Sequence, residues 1–295
     1  MFAVTGASGR LGRLALGAVL DLVADRGEVV ALTRNPGVVA ATPDRPEVRF
    51  READFARPDT LPRAFAGVRR LLLVSTERSP DRLRLHAAAI EAAVAAGVEH
   101  LVYTSVVRAA DPGNPVPEAR DHGRTEELLA DSGLGHTVLR FNVWPQMLLL
   151  TGLARLAVGA GELPSSAADG RVGYISREDT AWAAARVLTG AVEVPGTVLD
   201  VTGPGLTDAE VAAALTGATG RPVRHRPVAD AEVAPALIAL GVPEPLARAW
   251  GENDPFRRAG WFDIPDDGTT HRLLGRAPVA LADFLAAHRA ELLPG

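Results

Sequence analysis

The first twelve residues constrain the fold of this chain more than any other segment. A short apolar run, Phe2–Val4, leads through residues 5–12 (TGASGRLG) into a segment rich in alanine and leucine. Gly6 permits a sharp exit from a strand, Gly9 admits a pyrophosphate to the backbone N–H groups, and Gly12 allows a helix to pack closely on that strand. The phosphates are expected at the helix N-terminus, where unpaired N–H groups favour an anion. Because glycines also make ordinary turns, this prediction of a dinucleotide-binding turn depends on its flanks, and both are present.

Alternating strands and helices follow this turn. Strand-like runs occur at 2–5, 29–33, 48–52, 71–75, 100–105 and 137–140, and helical periodicity occurs at 58–65, 81–96 and 118–131. This alternation predicts an α/β fold of the Rossmann type, a doubly wound parallel sheet with helices on both faces. We expect residues 1–145 to form this nucleotide-binding domain.

Beyond about Trp144 the pattern loosens into segments separated by glycine and proline. Helices are expected at 177–188, 208–215, 230–240 and 281–292. Residues 146–295 are predicted to form mainly a smaller C-terminal substrate lobe. A strand near 196–202 is expected to return to the main sheet, so that the two lobes are interleaved.

The composition excludes several kinds of chemistry. The chain has no cysteine, which rules out disulfides, thiolate nucleophiles and cysteine-based metal sites. Its seven histidines show no metal-ligand spacing, so no metal is expected and redox chemistry must come from a bound cofactor. All 31 residues in the Lys+Arg count are arginine, and therefore no mechanism can use a lysine amine.

Charge and hydropathy limit the partners. The formal net charge is −5 and no basic tract is present, so we expect no nucleic acid partner. No apolar run approaches the roughly 20 residues of a membrane span, and the start lacks the basic segment of a secretory signal. We expect a cytoplasmic protein without a membrane partner, either a monomer or a homodimer.

Arg34 is the residue that indicates which dinucleotide is bound. It follows the second predicted strand, where an acidic residue would bind the ribose of NAD and an arginine pairs with the 2′-phosphate of NADP. NADPH is therefore the predicted cofactor, with NADH as an alternative, unless Arg34 is only a solvated surface residue. Arg10, inside the glycine turn, is a candidate for a second phosphate clamp. The turn residues expected to contact the cofactor are Gly6, Ser8, Gly9, Arg10, Leu11 and Gly12.

Polar residues at three other strand ends are further candidates. Asp54 and Phe55 follow the third strand, where a carboxylate can accept from the adenine amino group beside an aromatic ring. Ser75 and Thr76 end the fourth strand and Thr104 lies near the end of the fifth, at the edge where open parallel sheets bind ligands. These hydroxyls suit a ribose or a nicotinamide. Simple capping of the strand ends is the alternative.

Together these residues resemble the NmrA-like branch of the atypical short-chain dehydrogenase/reductases, near the bacterial type 2 NAD(P)H:quinone oxidoreductases. The resemblance covers nearly the whole chain, and its matching stretches are 4–12, 33–36, 53–54, 71–75, 96–98, 103–105 and 125–140. It implies a nicotinamide-binding Rossmann domain with a small C-terminal lobe over the cleft.

The chain departs from the Ser-Tyr-Lys triad of the larger superfamily. Ser105 fits the serine, which polarises the substrate oxygen, but Ala119 and Gly123 stand where the resemblance places the tyrosine and the lysine. The two tyrosines of the chain, Tyr103 and Tyr174, lie elsewhere. Either the protein is a non-catalytic NAD(P)-binding redox sensor with a protein partner, or it transfers hydride and obtains its proton in another way.

Two acceptor classes remove the need for the missing tyrosine. A quinone gives a stabilised phenolate that solvent protonates, and a ketone beside a phenol, as in aromatic polyketides, can use its own hydroxyl as the acid. His122 is the one titratable side chain in the triad segment that could donate a proton near neutral pH. A surface position in the first turns of the next helix is the alternative for His122.

Aromatic residues indicate the acceptor pocket. After the sixth strand, Phe141 and Asn142 are candidates for the nicotinamide, with Asn142 binding its carboxamide, and Trp144 is a candidate wall for an aromatic acceptor. Trp250 and Trp261 lie in a loop-like stretch rich in proline and glycine, which suits a lid or pocket wall. Core packing is the alternative for these tryptophans.

The sequence thus predicts an NADPH-dependent ketoreductase or quinone reductase that acts on an aromatic small molecule. Ser105 and His122 are its candidate catalytic residues. A redox sensor is the competing interpretation.

Overall fold

The apolar runs of the sequence form one parallel sheet. In the computed structural model, which describes residues 1–37, 48–77, 79–194 and 197–293, this sheet has seven strands in the order β3-β2-β1-β4-β5-β6-β9. The strands are β1 (Phe2–Val4), β2 (Val29–Thr33), β3 (Arg49–Glu52), β4 (Arg70–Leu73), β5 (His100–Val106), β6 (Gly135–Phe141) and β9 (Val198–Val201). Strand order reverses between β1 and β4, and in open α/β sheets ligands bind outside the carboxyl ends of the strands at this reversal.

Helices and four further short strands complete the described chain. The helices are α1 (Arg10–Leu22), α2 (Leu61–Phe65), α3 (Arg82–Ala95), α4 (Pro117–Asp131), α5 (Gln146–Leu150), α6 (Leu153–Ala160), α7 (Arg177–Thr189), α8 (Asp208–Thr219), α9 (Asp230–Ala239), α10 (Glu244–Arg258), α11 (Thr269–Leu274), α12 (Leu281–Ala287) and α13 (Arg289–Leu292). The other strands are β7 (Glu162–Ser165), β8 (Val172–Gly173), β10 (Gly205–Leu206) and β11 (Arg224–Pro227). None of the helices in these residues is long and apolar enough to cross a bilayer.

The chain divides into two compact units. The first comprises residues 1–141, 177–201 and 268–276, and the second comprises 142–176, 202–267 and 277–295. The prediction of a Rossmann fold is confirmed by the first unit, in which β9 pairs with β6 at the edge of the sheet. The helix expected at 177–188 is α7, which packs on α1. It therefore belongs to the first unit. The sequence had suggested that it belongs to the substrate lobe.

The core of the first unit lies against both faces of the sheet. All five residues of β2 are buried, and four of them are apolar. This composition is expected for a parallel strand in a sheet that helices cover on both faces. Gly97 and Gly133 follow α3 and α4 with φ of +71° and +73°. They end these helices in the left-handed conformation that glycine adopts without strain.

The second unit is built mainly from helices around its own apolar core. Its two small sheets pair β7 with β11 in parallel and β8 with β10 antiparallel. The loop predicted around Trp250 is wrong, since this residue lies on α10. Pro255 stands inside this helix near its end, and it contributed to the loop-like pattern of the sequence.

Candidate cofactor site

The glycine turn after β1 has the geometry that a phosphate-binding turn requires. Gly6 has a φ of +60°, and the Gly9 N–H donates to the Gly6 carbonyl oxygen at 2.8 Å. A Cβ built on Gly12 would lie 2.1 Å from that same oxygen. Only glycine therefore fits at position 12 without a shift of the backbone.

The N-terminus of α1 is open for an anion. Its N-cap is Gly9, which has no side chain that could cap the first N–H groups, and no acidic residue occupies the first turn. Arg10 is the first residue of this helix and is exposed. A helix start with free N–H groups and an adjacent cation favours a phosphate group. The turn thus fits the pyrophosphate of a dinucleotide.

Thr33 joins the glycine turn to the segment that carries Arg34. Its hydroxyl donates to Ser8 Oγ at 2.9 Å and accepts from the Asn35 N–H at 3.4 Å. Arg34 is exposed beside this contact. Within the described residues, neither Arg34 nor Arg10 forms an ion pair. Arg34 is therefore available for a 2′-phosphate, as its position after β2 predicts.

Asp54 is held by its own turn after β3. Its Oδ1 accepts from the Ala56 N–H at 3.0 Å and its Oδ2 accepts from Arg57 Nε at 3.2 Å. Phe55 is partly buried against the core of the first unit. This turn is well fixed, and a contact of Asp54 with adenine stays a prediction.

Side chains hold the backbone where the chain leaves β4. The N–H groups of Val74, Ser75 and Thr76 each donate to a side chain. Their acceptors are Thr5 Oγ1 at 2.9 Å, Thr104 Oγ1 at 2.8 Å and His86 Nε2 at 3.1 Å, respectively. Side chains from the residue after β1, from β5 and from α3 thus fix three consecutive residues. Thr5 and His86 were not among the site residues predicted from the sequence, although a histidine among the alanines of α3 is a signal for a buried polar contact.

Ser105 does not stand free to polarise a substrate. Its side chain is buried, with 3% of the residue exposed, and its hydroxyl donates to Glu126 Oε1 at 2.5 Å. Arg140 pairs with the same carboxylate, with Nη2 2.6 Å from Oε2. The proton of Ser105 is committed to this ion pair, so the structure argues against the polarising role that the sequence suggested.

His122 is buried in the same region, so neither role suggested by the sequence fits it. It is 2% exposed, which contradicts the surface alternative, and its Nδ1 lies 2.8 Å from the Tyr103 hydroxyl. Burial lowers the pKa of His122 well below its ordinary value, and the nearby Arg82 and His86 lower it further. The imidazole is therefore neutral at pH 7 and cannot supply an imidazolium proton.

Backbone occupies the place of the triad lysine. A Cβ built on Gly123 would lie 2.4 Å from the carbonyl oxygen of Ala109. Ala119, one turn earlier on α4, is buried. A tyrosine and a lysine at these two positions would not fit the present packing, so the departure from the triad is structural as well as chemical.

The side chains at the end of β6 and just after it are also buried or hydrogen-bonded within the protein. Phe141 is buried at the last position of that strand. The Asn142 amide donates to Thr202 Oγ1 at 3.1 Å and to the Phe262 carbonyl at 2.9 Å, and its Oδ1 accepts from the Val143 N–H at 2.9 Å. In this arrangement Asn142 has no donor left for a nicotinamide carboxamide, which corrects the role predicted for it.

The tryptophans of the second unit are partly buried. Trp250 packs against the core of that unit and borders a cavity of about 20 Å³, which has room for about one water molecule. The core alternative therefore applies to Trp250. Trp144 and Trp261 are half-buried, and a contact of either with an acceptor stays a prediction.

No cluster of residues that could hold a metal ion occurs in the described part of the chain. What the first unit offers is a glycine turn, a helix N-terminus and two exposed arginines. These features can bind a phosphorylated dinucleotide. The buried side chains of Ser105 and His122 contact Glu126 and Tyr103 within the same unit.

Comparison with known proteins places this site in a family. Residues 6–191 match the family described as NAD(P)H-binding. Quinone oxidoreductase 2 of Escherichia coli is 34% identical over 288 residues, which cover 97% of this chain and 98% of the relative. The NAD(P)H azoreductase of Xenophilus azovorans is 35% identical over 251 residues, covering 82% and 83% of the two chains.

A solved structure agrees with these relatives. The crystal structure of the NADPH-dependent quinone oxidoreductase of Escherichia coli, complexed with NADPH, superposes with a TM-score of 0.86 at 32% identity and covers 98% of this chain and 99% of its own. The resemblance seen in the sequence is thus confirmed. The chain therefore belongs to the NAD(P)H-binding family, in its NmrA-like group and near quinone oxidoreductase 2.

Proposed function

We propose that the protein is an NADPH-dependent reductase that transfers hydride to a quinone or to a ring-conjugated ketone of an aromatic substrate. The observation that carries this proposal is an intact dinucleotide turn in a unit whose triad positions hold Ala119 and Gly123 in place of the tyrosine and the lysine. The polar groups at the triad positions are either missing or committed to buried partners. A reaction that needs only hydride from the site suits this arrangement.

The cofactor side of the proposal depends on the glycine turn. The N-terminus of α1 and Arg10 bind the pyrophosphate, and Arg34 binds the 2′-phosphate, which favours NADPH over NADH. When bound, NADPH supplies the hydride at its nicotinamide ring. Ser75 and Thr76, which follow β4, contact the ribose or the nicotinamide and help to orient that ring.

The acceptor side follows from the missing acid. Two-electron reduction of a quinone leaves a phenolate, which is stable enough to take its proton from water. A ketone beside a phenol, as in aromatic polyketides, takes the proton from its own hydroxyl. An isolated aliphatic ketone would leave an alkoxide with no donor. Relatives named for quinone and azo reduction both act on conjugated acceptors, which supports the same class here.

The test is NADPH consumption by the purified protein, followed by absorbance, with acceptors in matched pairs. Each phenol-bearing aromatic ketone is compared with the same ketone lacking the phenol, and quinones are compared with aliphatic ketones. We expect turnover with quinones and with the phenol-bearing member of each pair. Equal rates within the pairs would contradict substrate-assisted protonation. NADPH binding without turnover on any acceptor would contradict the reductase and favour the redox sensor.

A further inference from the structure

His86 has no part in the function proposed above, yet it holds a segment that does. It lies on α3 with none of its surface exposed. Its Nε2 lies 3.1 Å from the backbone nitrogen of Thr76 and 3.2 Å from Thr76 Oγ1. One imidazole nitrogen thus contacts both the backbone and the side chain of the same residue.

The hydrogen-bond partners determine the tautomer of this ring. A backbone N–H can only donate, so Nε2 must be the acceptor and the ring proton must lie on Nδ1. Nδ1 then donates to Thr125 Oγ1 at 3.0 Å. Thr125 in turn donates to the Asp121 carbonyl at 3.0 Å. Each donor has a defined acceptor, and the ring is held from α4 while it holds Thr76.

The ring is neutral and packed in place. Burial, together with the positive charge of Arg82, lowers the pKa of His86 to about 3. The ring also packs edge-on against Tyr103, with ring centroids 5.6 Å apart. A neutral imidazole in one tautomer, fixed on two sides, is a rigid acceptor.

We propose that His86 is a positioning residue that fixes Thr76, and with it the exit of β4, for contact with the ribose or nicotinamide of NADPH. The inference rests on the proposed function, since that function assigns Thr76 to the cofactor. Val74 is held by Thr5, which directly follows β1, and Ser75 is held by Thr104 of β5. Thr76 lies one residue farther out, and its backbone N–H is held from the helix layer, by His86. A cofactor that bound a loose segment would lose affinity through the ordering of that segment.

Two substitutions separate positioning from packing. His86→Gln can place an oxygen acceptor near the position of Nε2 and so keep the bond to Thr76. His86→Asn places its amide near the position of Nδ1, keeps a partner for Thr125 and leaves the Thr76 N–H without its acceptor. Both variants remove the ring from the same buried site, so a purely structural role would affect them alike.

The readouts are the dissociation constant of NADPH, its KM, and the thermal unfolding midpoint. We expect His86→Asn to weaken NADPH binding about 5- to 10-fold, the loss typical of one hydrogen bond. His86→Gln should recover most of that affinity, to within about threefold of wild type, while both midpoints fall by similar amounts. Equal NADPH affinities in the two variants and the wild type would overturn the inference but leave the proposed function intact. A wild-type protein that binds no NADPH would overturn both.

Thr125→Val provides a test in which the imidazole is retained. It removes the acceptor of the Nδ1 proton, so the ring loses its hydrogen bond to α4, and we expect NADPH binding to weaken about 2- to 5-fold. Thr219→Val is the matched control, because Thr219 also donates to the carbonyl one turn earlier, that of Leu215, on a helix of the second unit. NADPH binding that is unchanged in Thr125→Val, or weakened equally in Thr219→Val, would contradict the positioning role.

Discussion

Arg140 and Glu126 form a bidentate ion pair inside the first unit, with Nη2 2.6 Å from Oε2 and Nε 3.0 Å from Oε1. The exposed fractions of the two side chains are 14% and 7%. Ser105, which lies beside Arg140 in the register of β5 and β6, adds a third contact to the carboxylate. The residue that a triad would use on the substrate is here part of a buried network that joins β5, α4 and β6.

Ser105→Ala should therefore lower stability and leave catalysis largely intact. Loss of a hydrogen bond to a charged group costs about 1.5–3 kcal/mol in unfolding free energy. We expect kcat for quinone reduction within about twofold of wild type, because the hydroxyl already donates its proton to Glu126. Urea unfolding and steady-state kinetics on the same preparation measure both effects. A fall in kcat of more than tenfold at unchanged stability would restore the polarising role.

Glu126→Ala tests the network more severely. Removal of one partner of a buried ion pair leaves the other charge without compensation, which costs about 3–5 kcal/mol. We expect a correspondingly lower urea midpoint with an unchanged slope. Glu244→Ala is the control, since the pair of Glu244 with Arg248 lies on the exposed surface of α10 and is worth at most about 1 kcal/mol. Equal losses in the two variants would contradict the buried pair.

Much of the first unit could be predicted because its central strands are buried on both faces. Such strands are mostly apolar, so the runs 29–32 and 71–73 stand out in the sequence. The glycine turn was predictable for a similar reason, since close backbone contact leaves room only for glycine. In these segments the local sequence pattern and the burial in the folded chain therefore indicate the same strands and the same turn.

The roles of Ser105 and His122 could not be predicted, because their partners come from other elements. Burial of α4 on β5 brings Glu126 to Ser105 and Tyr103 to His122, and no local pattern specifies these pairs. Helix α10 was missed for a related reason. Its buried positions include Asp254 and Arg257, which pair with each other at 2.9 Å and interrupt the apolar periodicity on which the prediction depended.

Arg34→Ala should separate the two cofactors. If Arg34 binds the 2′-phosphate, its loss removes a charge-assisted hydrogen bond worth about 1.5–3 kcal/mol, or about 10- to 100-fold in the dissociation constant of NADPH. NADH lacks this phosphate, so its binding should change by less than about twofold. Titration with both cofactors measures the difference, and Arg248→Ala on the surface of α10 is the control. Equal losses for the two cofactors would contradict the assignment.

The buried histidines predict a dependence of stability on pH. The pKa of His86 is about 3 in the folded chain, mainly because of burial, against an ordinary value of 6.5. Between these values the unfolded chain binds a proton that the folded chain does not. This contribution to stability is therefore complete above about pH 6.5 and is lost as the pH falls towards about 3, at about 1.4 kcal/mol per pH unit.

Comparison of the wild type with His86→Gln isolates that contribution. Carboxylates titrate in both proteins, so their effect cancels in the difference. We expect the unfolding free energy of the wild type to fall more steeply between about pH 6 and pH 5, by about 1.4 kcal/mol per unit more than in the variant. Urea unfolding across this range gives both slopes. Parallel slopes would mean that His86 is protonated in the folded chain.

Gly12→Ala tests the turn itself against a glycine that has room. The added methyl group would lie 2.1 Å from the Gly6 carbonyl oxygen, so α1 must shift and its N-terminal N–H groups lose their alignment. We expect a stability loss of about 1–3 kcal/mol and NADPH binding weakened about tenfold or more, because the phosphates depend on those groups. Gly159→Ala on α6 is the matched control, since nothing lies within 4 Å of its Cβ position. That substitution should raise stability by about 0.5–1 kcal/mol and leave NADPH binding unchanged. NADPH binding of normal strength in Gly12→Ala would show that the phosphates do not bind at this turn.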